Sequence, residues 1–407
     1  MENQVRDIDP HKAGSLINKL VEFLGERNVK GCLRRHEEVL KSAGPIFREY
    51  YLKPSHPWLS ALGQYYELTN KAKSIHRNLT PELKALVIDA KKVLTLQENM
   101  TDSVKNKYRT VLLDTDHPRN YLFEIETAWH FFVKDYYIRW YEDNSSKHPE
   151  FLVEAPGFHF NVECKWISVD IARKIHRKDF YGFAGKLIPE IQKRNYAGKV
   201  DIILKDRLQS GSCKTLCANV LKVIDRGILH GDCEIAPFGS LTFDLTCVSG
   251  VVIDINEHME KLYDRKADKA HGALFAKAEG TKALDPIELT VMSEKADTVL
   301  DGIKDKMSNA EKQLDKSKPG LIACFLEGVN GFELHKLKSE SGLQLMTNDV
   351  LWKDKFSHVA GISYSSESMV EKGGNYEEIF NAALFFRNHK CKFQEAKTFE
   401  FILPRRF

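Results

Sequence analysis

The stretch HPEFLVEAPGFHFNVECKW, residues 148–166, decides the fold of the region around it. From Phe158 onward, apolar and polar residues alternate, which is typical of a β-strand that places one face on a core. Pro156 and Gly157 lie just before that strand and are turn formers. The stretch is therefore predicted to fold as a β-hairpin whose apolar face covers a core.

Two charged residues share the polar face of the second strand of this hairpin. Glu163 and Lys165 are same-face neighbours, roughly 6–7 Å apart along the strand. If Pro156 and Gly157 are the central turn residues, Glu150 lies directly opposite Glu163. Two carboxylates that face each other at about 5 Å repel and destabilise a sheet. A divalent cation between them, such as Mg²⁺ with its preference for oxygen ligands, would remove that cost.

Glu154 is the competing acid on the first strand. In the same register it lies opposite His159 and about 13 Å along the strand from Glu150, too far to share a cation with Glu163. On alternation alone, a solvated polar sheet face is the simpler interpretation of these residues.

The segment YLFEIETAW, residues 121–129, precedes the hairpin and carries acids in an apolar setting. Apolar residues recur there at helical spacing, and an amphipathic helix is predicted over residues 120–140. This helix, a strand that begins Pro-Glu at 149–150 and a strand that ends Glu-Cys-Lys at 163–165 follow one another in order. In that order and spacing the chain resembles the PD-(D/E)XK nuclease superfamily over residues 120–166.

The resemblance implies an α/β fold in which a restriction-endonuclease-like mixed sheet is flanked by helices. It also implies a Mg²⁺ or Mn²⁺ site with four contributors: Glu124, Glu150, Glu163 and the backbone carbonyl of Cys164. Glu150 stands where the family has Asp, and Glu126 is the alternative to Glu124 as the helix acid. The implied catalytic residues are Glu150, Glu163 and Lys165, with Lys165 orienting the attacking water or stabilising charge on the phosphate.

Two domains are predicted, a helical N-terminal domain over residues 1–117 and an α/β domain over residues 118–407. Thr80-Pro81-Glu82 marks a helix start in the first, because Thr caps helices and Pro favours their first turn. Residues from about 170 to 295 are predicted to be an insertion into the second domain. In the alternative, the helix and strand over residues 299–326 are an addition at the edge of the sheet.

Hydrophobic periodicity predicts further elements along the chain. Strands are predicted at VDIIL (200–204), SLTFDLTCV (240–248), LIACFL (321–326), HVAGISYS (358–365) and TFEFIL (398–403). Helices are predicted over residues 170–195, 213–229, 294–315 and 375–387. Helices and strands that follow one another in this way indicate a layered structure of both.

Basic residues downstream of the hairpin are candidates for binding nucleic-acid phosphates. They are Arg173, Lys174, Arg177 and Lys178. A solvated helix face is the alternative interpretation. Gln313 is a possible helper residue, since proteins that resemble this family often have a helix with Gln before a core strand; an exposed helix glutamine is the alternative.

The composition bears on the class of protein. A net charge of +3 excludes a histone-like polycation and leaves room for a local nucleic-acid patch. No run of eighteen apolar residues occurs and residues 1–12 have no secretory pattern, so no membrane span and a cytoplasmic location are expected. The eight Cys are scattered and are expected to be reduced thiols.

The resemblance implies a Mg²⁺-dependent endonuclease that hydrolyses DNA, in bacterial or phage-related antiviral defence or restriction. One alternative is an RNA nuclease with the same metal site. Another is a nuclease-fold protein that no longer cleaves and serves as a nucleic-acid-binding or scaffold subunit. The N-terminal helical region would bind a second copy of the chain or a partner subunit.

Overall fold

The computed structural model describes residues 9–114, 118–142, 148–248, 250–254, 270–279, 282–330, 334, 337–338, 342–367, 369–373, 376–380 and 383–396. Helices and mixed sheets combine in an α/β architecture, and a helical N-terminal region precedes the sheets, as predicted. The strand predicted at 398–403 lies outside the described residues. Among the described helices, none has the length and apolar content needed to cross a lipid bilayer.

The longer helices are numbered in chain order. They are α1 (Ala13–Leu24), α2 (Glu26–Ser42), α3 (Pro57–Asn70), α4 (Pro81–Leu96), α5 (Asp102–Val111), α6 (Pro118–Phe132), α7 (Arg177–Lys193), α8 (Cys213–Asp225), α9 (Val299–Glu311) and α10 (Leu343–Leu351). Helix α4 begins as the sequence predicts, because the Thr80 hydroxyl accepts a hydrogen bond of 3.2 Å from the Leu83 backbone N–H.

The strands are also numbered in chain order. They are β1 (Tyr137–Trp140), β2 (Phe151–Ala155), β3 (Phe158–Ser168), β4 (Tyr196–Leu204), β5 (His230–Ile235), β6 (Gly239–Cys247), β7 (Val252–Asp254), β8 (Ala270–Glu279), β9 (Lys282–Ser293), β10 (Gly320–Asn330), β11 (Val359–Glu367), β12 (Met369–Gly373), β13 (Tyr376–Phe380) and β14 (Ala383–Arg387). The strands predicted at 200–204, 240–248, 321–326 and 358–365 are confirmed within β4, β6, β10 and β11.

One six-stranded mixed sheet has the order β1-β2-β3-β10-β11-β14. Its β2 and β3 form the predicted hairpin, with Ala155 opposite Phe158 and Glu154 opposite His159. The predicted register is therefore confirmed. Strand β10 pairs with β3 in parallel, although it follows β3 by more than 150 residues in sequence. This pairing places the end of helix α9 beside the hairpin.

Two predicted helices are wrong in part or in full. The helix predicted over residues 120–140 ends at Phe132, and β1 follows after a turn in which Asp135 adopts a φ of 63°, a left-handed conformation that a helix does not contain. No helix forms in the described residues of the range 375–387, which instead belong to strands β13 and β14. Strand β14 pairs with β11 and buries alternate residues, Leu384 and Phe386. Tertiary pairing overrides local helix propensity at this position.

The chain forms two compact units. The first unit falls within residues 1–42, 55–169 and 300–407, and the second within residues 43–54 and 170–299. In the first unit, helices α1 and α3 to α6 share one hydrophobic core with β1 to β3. The second unit has its own core and a sheet of order β5-β6-β4-β9-β7, with β8 paired to β9. The predicted division at residue 117 stays a prediction about domain organisation.

Candidate functional site

Strand β3 carries Glu163 and Lys165 on one face. The Glu163 side chain is 0% exposed, so this face is not the solvated surface that alternation alone would indicate. The Lys165 ammonium donates a hydrogen bond to Glu163 Oε1. Within the described part of the chain, Glu163 Oε2 is buried without a hydrogen-bond partner. A buried carboxylate oxygen of this kind is suited to a ligand that supplies positive charge.

Glu163 and Lys165 shift each other's pKa. Burial raises the pKa of Glu163 to about 8, an effect that the Lys165 charge opposes and the Glu150 charge reinforces. Burial acts against the charged form of Lys165, but the charge and hydrogen bond of Glu163 raise its pKa overall. Strongly shifted groups that sit together are typical of functional sites.

Glu150 directly precedes β2 at the open end of the hairpin. Its backbone N–H donates a 3.1 Å hydrogen bond to the Val162 carbonyl, one residue out of the register in which Phe151 lies opposite Val162. Its side chain is 17% exposed, and the Lys107 ammonium lies 3.6 Å from its Oε2. The charge of Glu150 raises the pKa of Glu163, so the two acids lie near each other.

Helix α6 contributes Glu124 rather than Glu126. Glu124 is 5% exposed and its Oε2 accepts a 2.6 Å hydrogen bond from the Tyr108 hydroxyl. Burial, reinforced by the charge of Glu150, raises the pKa of Glu124 well above its usual value. The Glu126 side chain is 48% exposed and accepts a hydrogen bond from Lys92. Of the two alternatives in the sequence, Glu124 is the acid coupled to Glu150 and Glu163.

Gln313 lies two residues beyond Glu311, the last residue of α9, and contacts Lys165 directly. Its side-chain oxygen accepts a 2.8 Å hydrogen bond from the Lys165 ammonium. The side chain is half-buried, in contrast to the exposed helix glutamine that was the alternative. Gln313 and Glu163 together fix the position of the Lys165 ammonium.

The predicted phosphate-binding residues lie in the second unit, whereas Glu150, Glu163 and Lys165 lie in the first. Asp170 accepts hydrogen bonds from the Arg177 backbone N–H at 2.8 and 2.9 Å, which ties down the start of α7. Asp297 accepts a hydrogen bond of 2.7 Å from the Lys174 backbone N–H. Lys178 is exposed and Arg173 is half-buried.

Sequence reasoning missed three polar residues of the site. Asn161 is fully buried on the same face of β3 as Glu163, and its Oδ1 accepts a 2.8 Å hydrogen bond from the Tyr141 hydroxyl. The alternation of β3 could have identified it. Lys107 and Tyr108 come from helix α5, where no local pattern in the sequence links them to the hairpin.

The donor set fits a hard divalent cation. Carboxylate and carbonyl oxygens are the ligands that Mg²⁺ and Mn²⁺ prefer, and the unpartnered Oε2 of Glu163 supplies one of them. In the described parts of the chain, no three His, Cys, Asp or Glu side chains are grouped closely enough to hold a metal ion by themselves. Mg²⁺ needs only one or two protein carboxylates, because it keeps several of its waters.

Comparisons with protein-family models, with curated proteins and with solved structures found no match. The resemblance to the PD-(D/E)XK nucleases therefore depends on the order and spacing of residues 120–166 alone.

Proposed function

We propose that the protein is a Mg²⁺-dependent endonuclease that hydrolyses phosphodiester bonds of DNA. The observation that carries the proposal is the arrangement of Glu163, Lys165 and Gln313. A fully buried carboxylate with one unpartnered oxygen lies beside an ammonium group that two acceptors hold in place. Such a pair suits a reaction in which negative charge develops on a phosphate next to a bound cation.

The metal ligands in this proposal are Glu150 and Glu163, with Glu124 and the Cys164 backbone carbonyl as further oxygen donors. A cation bound there would lower the pKa of a bound water and neutralise charge on the phosphate. Glu124 is held by the Tyr108 hydroxyl, so its carboxylate has one oxygen fixed by the protein. The complete burial of Glu163 strengthens the electrostatic interactions of its carboxylate.

Lys165 acts on the reacting groups in this proposal. Its ammonium is positioned by Glu163 and Gln313, so it can orient the attacking water or donate a hydrogen bond to the phosphate without first losing side-chain freedom. Gln313 is a positioning residue, because it acts through Lys165. Arg173, Lys174, Arg177 and Lys178 are further candidates for binding phosphates of the nucleic-acid backbone.

A cleavage assay tests the proposal. Purified protein is incubated with supercoiled plasmid, linear duplex DNA and single-stranded RNA, each with Mg²⁺, Mn²⁺ or EDTA. Lys165→Met is compared with a matched control, Lys199→Met. Like Lys165, Lys199 forms an ion pair with an acid two residues away on its own strand, Asp201 at 2.7 Å. DNA cleavage that needs metal, is lost in Lys165→Met and is retained in Lys199→Met supports the proposal.

Other outcomes of the assay select the alternatives. Cleavage of RNA alone would indicate an RNA nuclease with the same metal site. Binding of nucleic acid without cleavage under any metal condition would indicate a nuclease-fold binding or scaffold subunit. Cleavage that Lys165→Met retains in full would overturn the assignment of the site.

A further inference from the structure

Helix α5 brings two consecutive polar side chains to the candidate site. The Lys107 ammonium lies 3.6 Å from Glu150 Oε2, and the Tyr108 hydroxyl lies 2.6 Å from Glu124 Oε2. Tyr108 is buried, and its ring packs edge-to-face on Trp140 of β1 with the centroids 5.3 Å apart. This packing fixes the helix against the sheet, so the position of Lys107 beside Glu150 is set by the core.

Lys107 reaches both the site and solvent. Its side chain is 29% exposed, and its contact with Glu150 is an ion pair longer than a hydrogen bond. The ammonium also lies 5.8 and 5.9 Å from the centres of the Tyr108 and Tyr121 rings, where the aromatic faces favour a cation. A lysine in this position lies beside an acid of the site while part of its side chain is open to solvent, from which a phosphate could approach.

The net charge of the site indicates which anion Lys107 would bind in place of Glu150. Carboxyl groups lose their protons when they bind a metal ion, so in the metal-bound site the three carboxylates of Glu124, Glu150 and Glu163 exceed the ammonium groups of Lys107 and Lys165 by one negative charge. A divalent cation held by the carboxylates would leave one positive charge in excess. That excess matches one phosphodiester, and without Lys107 it would disappear.

We propose that Lys107 is a phosphate-binding residue of this site, which exchanges Glu150 for a phosphate of the nucleic-acid backbone when the carboxylates hold a divalent cation. The inference rests on the proposed nuclease function and adds to it a substrate contact from the N-terminal helical region. Tyr108 is then a positioning residue, because it holds Glu124 and anchors the helix that carries Lys107.

The salt dependence of nucleic-acid binding tests the inference. Binding of a fluorescein-labelled duplex DNA is measured by anisotropy between low and physiological salt, with Ca²⁺ in place of Mg²⁺ to slow cleavage while an oxygen-liganded divalent cation and the Lys165 charge are kept. Each phosphate contact contributes about 0.9 to the slope of log affinity against log salt for duplex DNA. Lys107→Met is expected to lower the magnitude of the slope by about that amount. A single-stranded RNA of the same sequence shows whether RNA phosphates are bound instead.

Two variants control for general effects on charge and folding. Lys105→Met removes a lysine from the same helix, one whose nearest acid is Asp102 at 4.0 Å, and it is expected to leave the slope unchanged. Lys107→Arg keeps the charge and is expected to restore most of the slope. An unchanged slope in Lys107→Met, or an equal loss in Lys105→Met, would overturn the inference.

Metal titration separates failure of the inference from failure of the proposed function. Mn²⁺ binding is measured by electron paramagnetic resonance without nucleic acid. Lys107→Met is expected to bind Mn²⁺ about fivefold more tightly, because the ammonium no longer repels the cation at Glu150. If Glu163→Gln leaves Mn²⁺ binding unchanged, the metal site itself is wrong. If Glu163→Gln removes binding but Lys107→Met equals the parent in both measurements, only the inference fails.

Discussion

The carboxyl group of Glu163 is fully buried. Burial raises its pKa to about 8, which the charge of Lys165 opposes and that of Glu150 reinforces. A buried acid with an unpartnered oxygen costs folding free energy, and such costs are retained where a group has a chemical role. The residue should therefore make the stability of the first unit depend on pH.

The free energy of unfolding is expected to fall between about pH 5 and pH 8, and Glu163→Gln is expected to make that fall smaller. The folded protein keeps the proton up to about pH 8, whereas the unfolded chain releases it near the usual pKa of 4.5. Stability from this group is thus greatest below pH 4.5 and is lost as pH rises through 8. In the variant, the slope of unfolding free energy against pH should be less steep by up to about 1.4 kcal/mol per pH unit.

Urea unfolding followed by tryptophan fluorescence at several pH values measures this change. All five tryptophans lie in the first unit, so the fluorescence reports on the unit that contains Glu163. A variant whose free energy of unfolding falls with pH as steeply as that of the parent would contradict the prediction.

Glu150 and Glu154 offer a matched pair on the first strand of the hairpin. Glu150 precedes β2 and its charge acts on Glu163, whereas Glu154 lies opposite His159 and pairs with Arg139. Under the proposed function, Glu150→Gln should lower Mg²⁺-dependent cleavage by about a hundredfold or more, since a charged metal ligand is lost. Glu154→Gln should retain cleavage. Quantified plasmid cleavage measures both variants, and a folded but inactive Glu154→Gln would contradict the assignment.

The sequence identifies residues of the candidate site where local geometry determines their position, or where the family resemblance names them, as for Glu124 and Gln313. Alternation and turn position are local rules, so Glu150, Glu163 and Lys165 could be placed from a count of residues. Lys107 and Tyr108 reach the hairpin through packing of α5 against β1, a contact between residues distant in sequence. Neither the spacing nor the composition of α5 carries that information.

At the scale of elements, strands with strict alternation are predictable and short or ambiguous ones are not. Strand β3 alternates over a long run, and its bounds follow from the sequence. Strand β1 has four residues and directly follows an amphipathic helix, so the helical pattern extends over it. Strand β14 exists because β11 pairs with it, a fact that depends on the rest of the fold.

The pairing of β11 with β14 leaves no room for a side chain at Gly361. A Cβ added there would lie 2.4 Å from the Phe385 ring and 2.9 Å from the Phe386 carbonyl oxygen. Gly361→Ala is therefore expected to destabilise the first unit by about 1–3 kcal/mol through overpacking. Tryptophan-detected urea unfolding measures the change.

Gly63 in helix α3 is the matched control for Gly361. An added Cβ at Gly63 meets no atom within 4 Å, and alanine is a better helix former than glycine. Gly63→Ala is therefore expected to stabilise the first unit by up to about 1 kcal/mol. Destabilisation by both variants would show that the strand pairing is not the cause.

At the scale of the whole molecule, the described residues form two hydrophobic cores. The sequence predicts a helical domain over residues 1–117 and an α/β domain over residues 118–407 with an insertion at about 170–295, and that division stays a prediction. Ile46 from the N-terminal region packs against the second core, together with residues of α7 and α8. The sequence of residues 43–54 does not predict this contact with the second core. Amphipathicity shows that a face is buried, but it does not show which part of the fold buries it. Domain membership therefore depends on contacts that a single sequence does not reveal.

The two cores predict two unfolding transitions that respond to different substitutions. Ile125 in α6 is buried in the first core and Ile188 in α7 in the second, so Ile→Val at each removes one methylene from a matched helical position. Each substitution should destabilise its own unit by about 0.5–1.5 kcal/mol. Ile125→Val should shift the tryptophan-detected transition, whereas Ile188→Val should shift only a transition seen by calorimetry, since every tryptophan lies in the first unit. Equal shifts of the tryptophan transition by both variants would mean that the units unfold as one cooperative body.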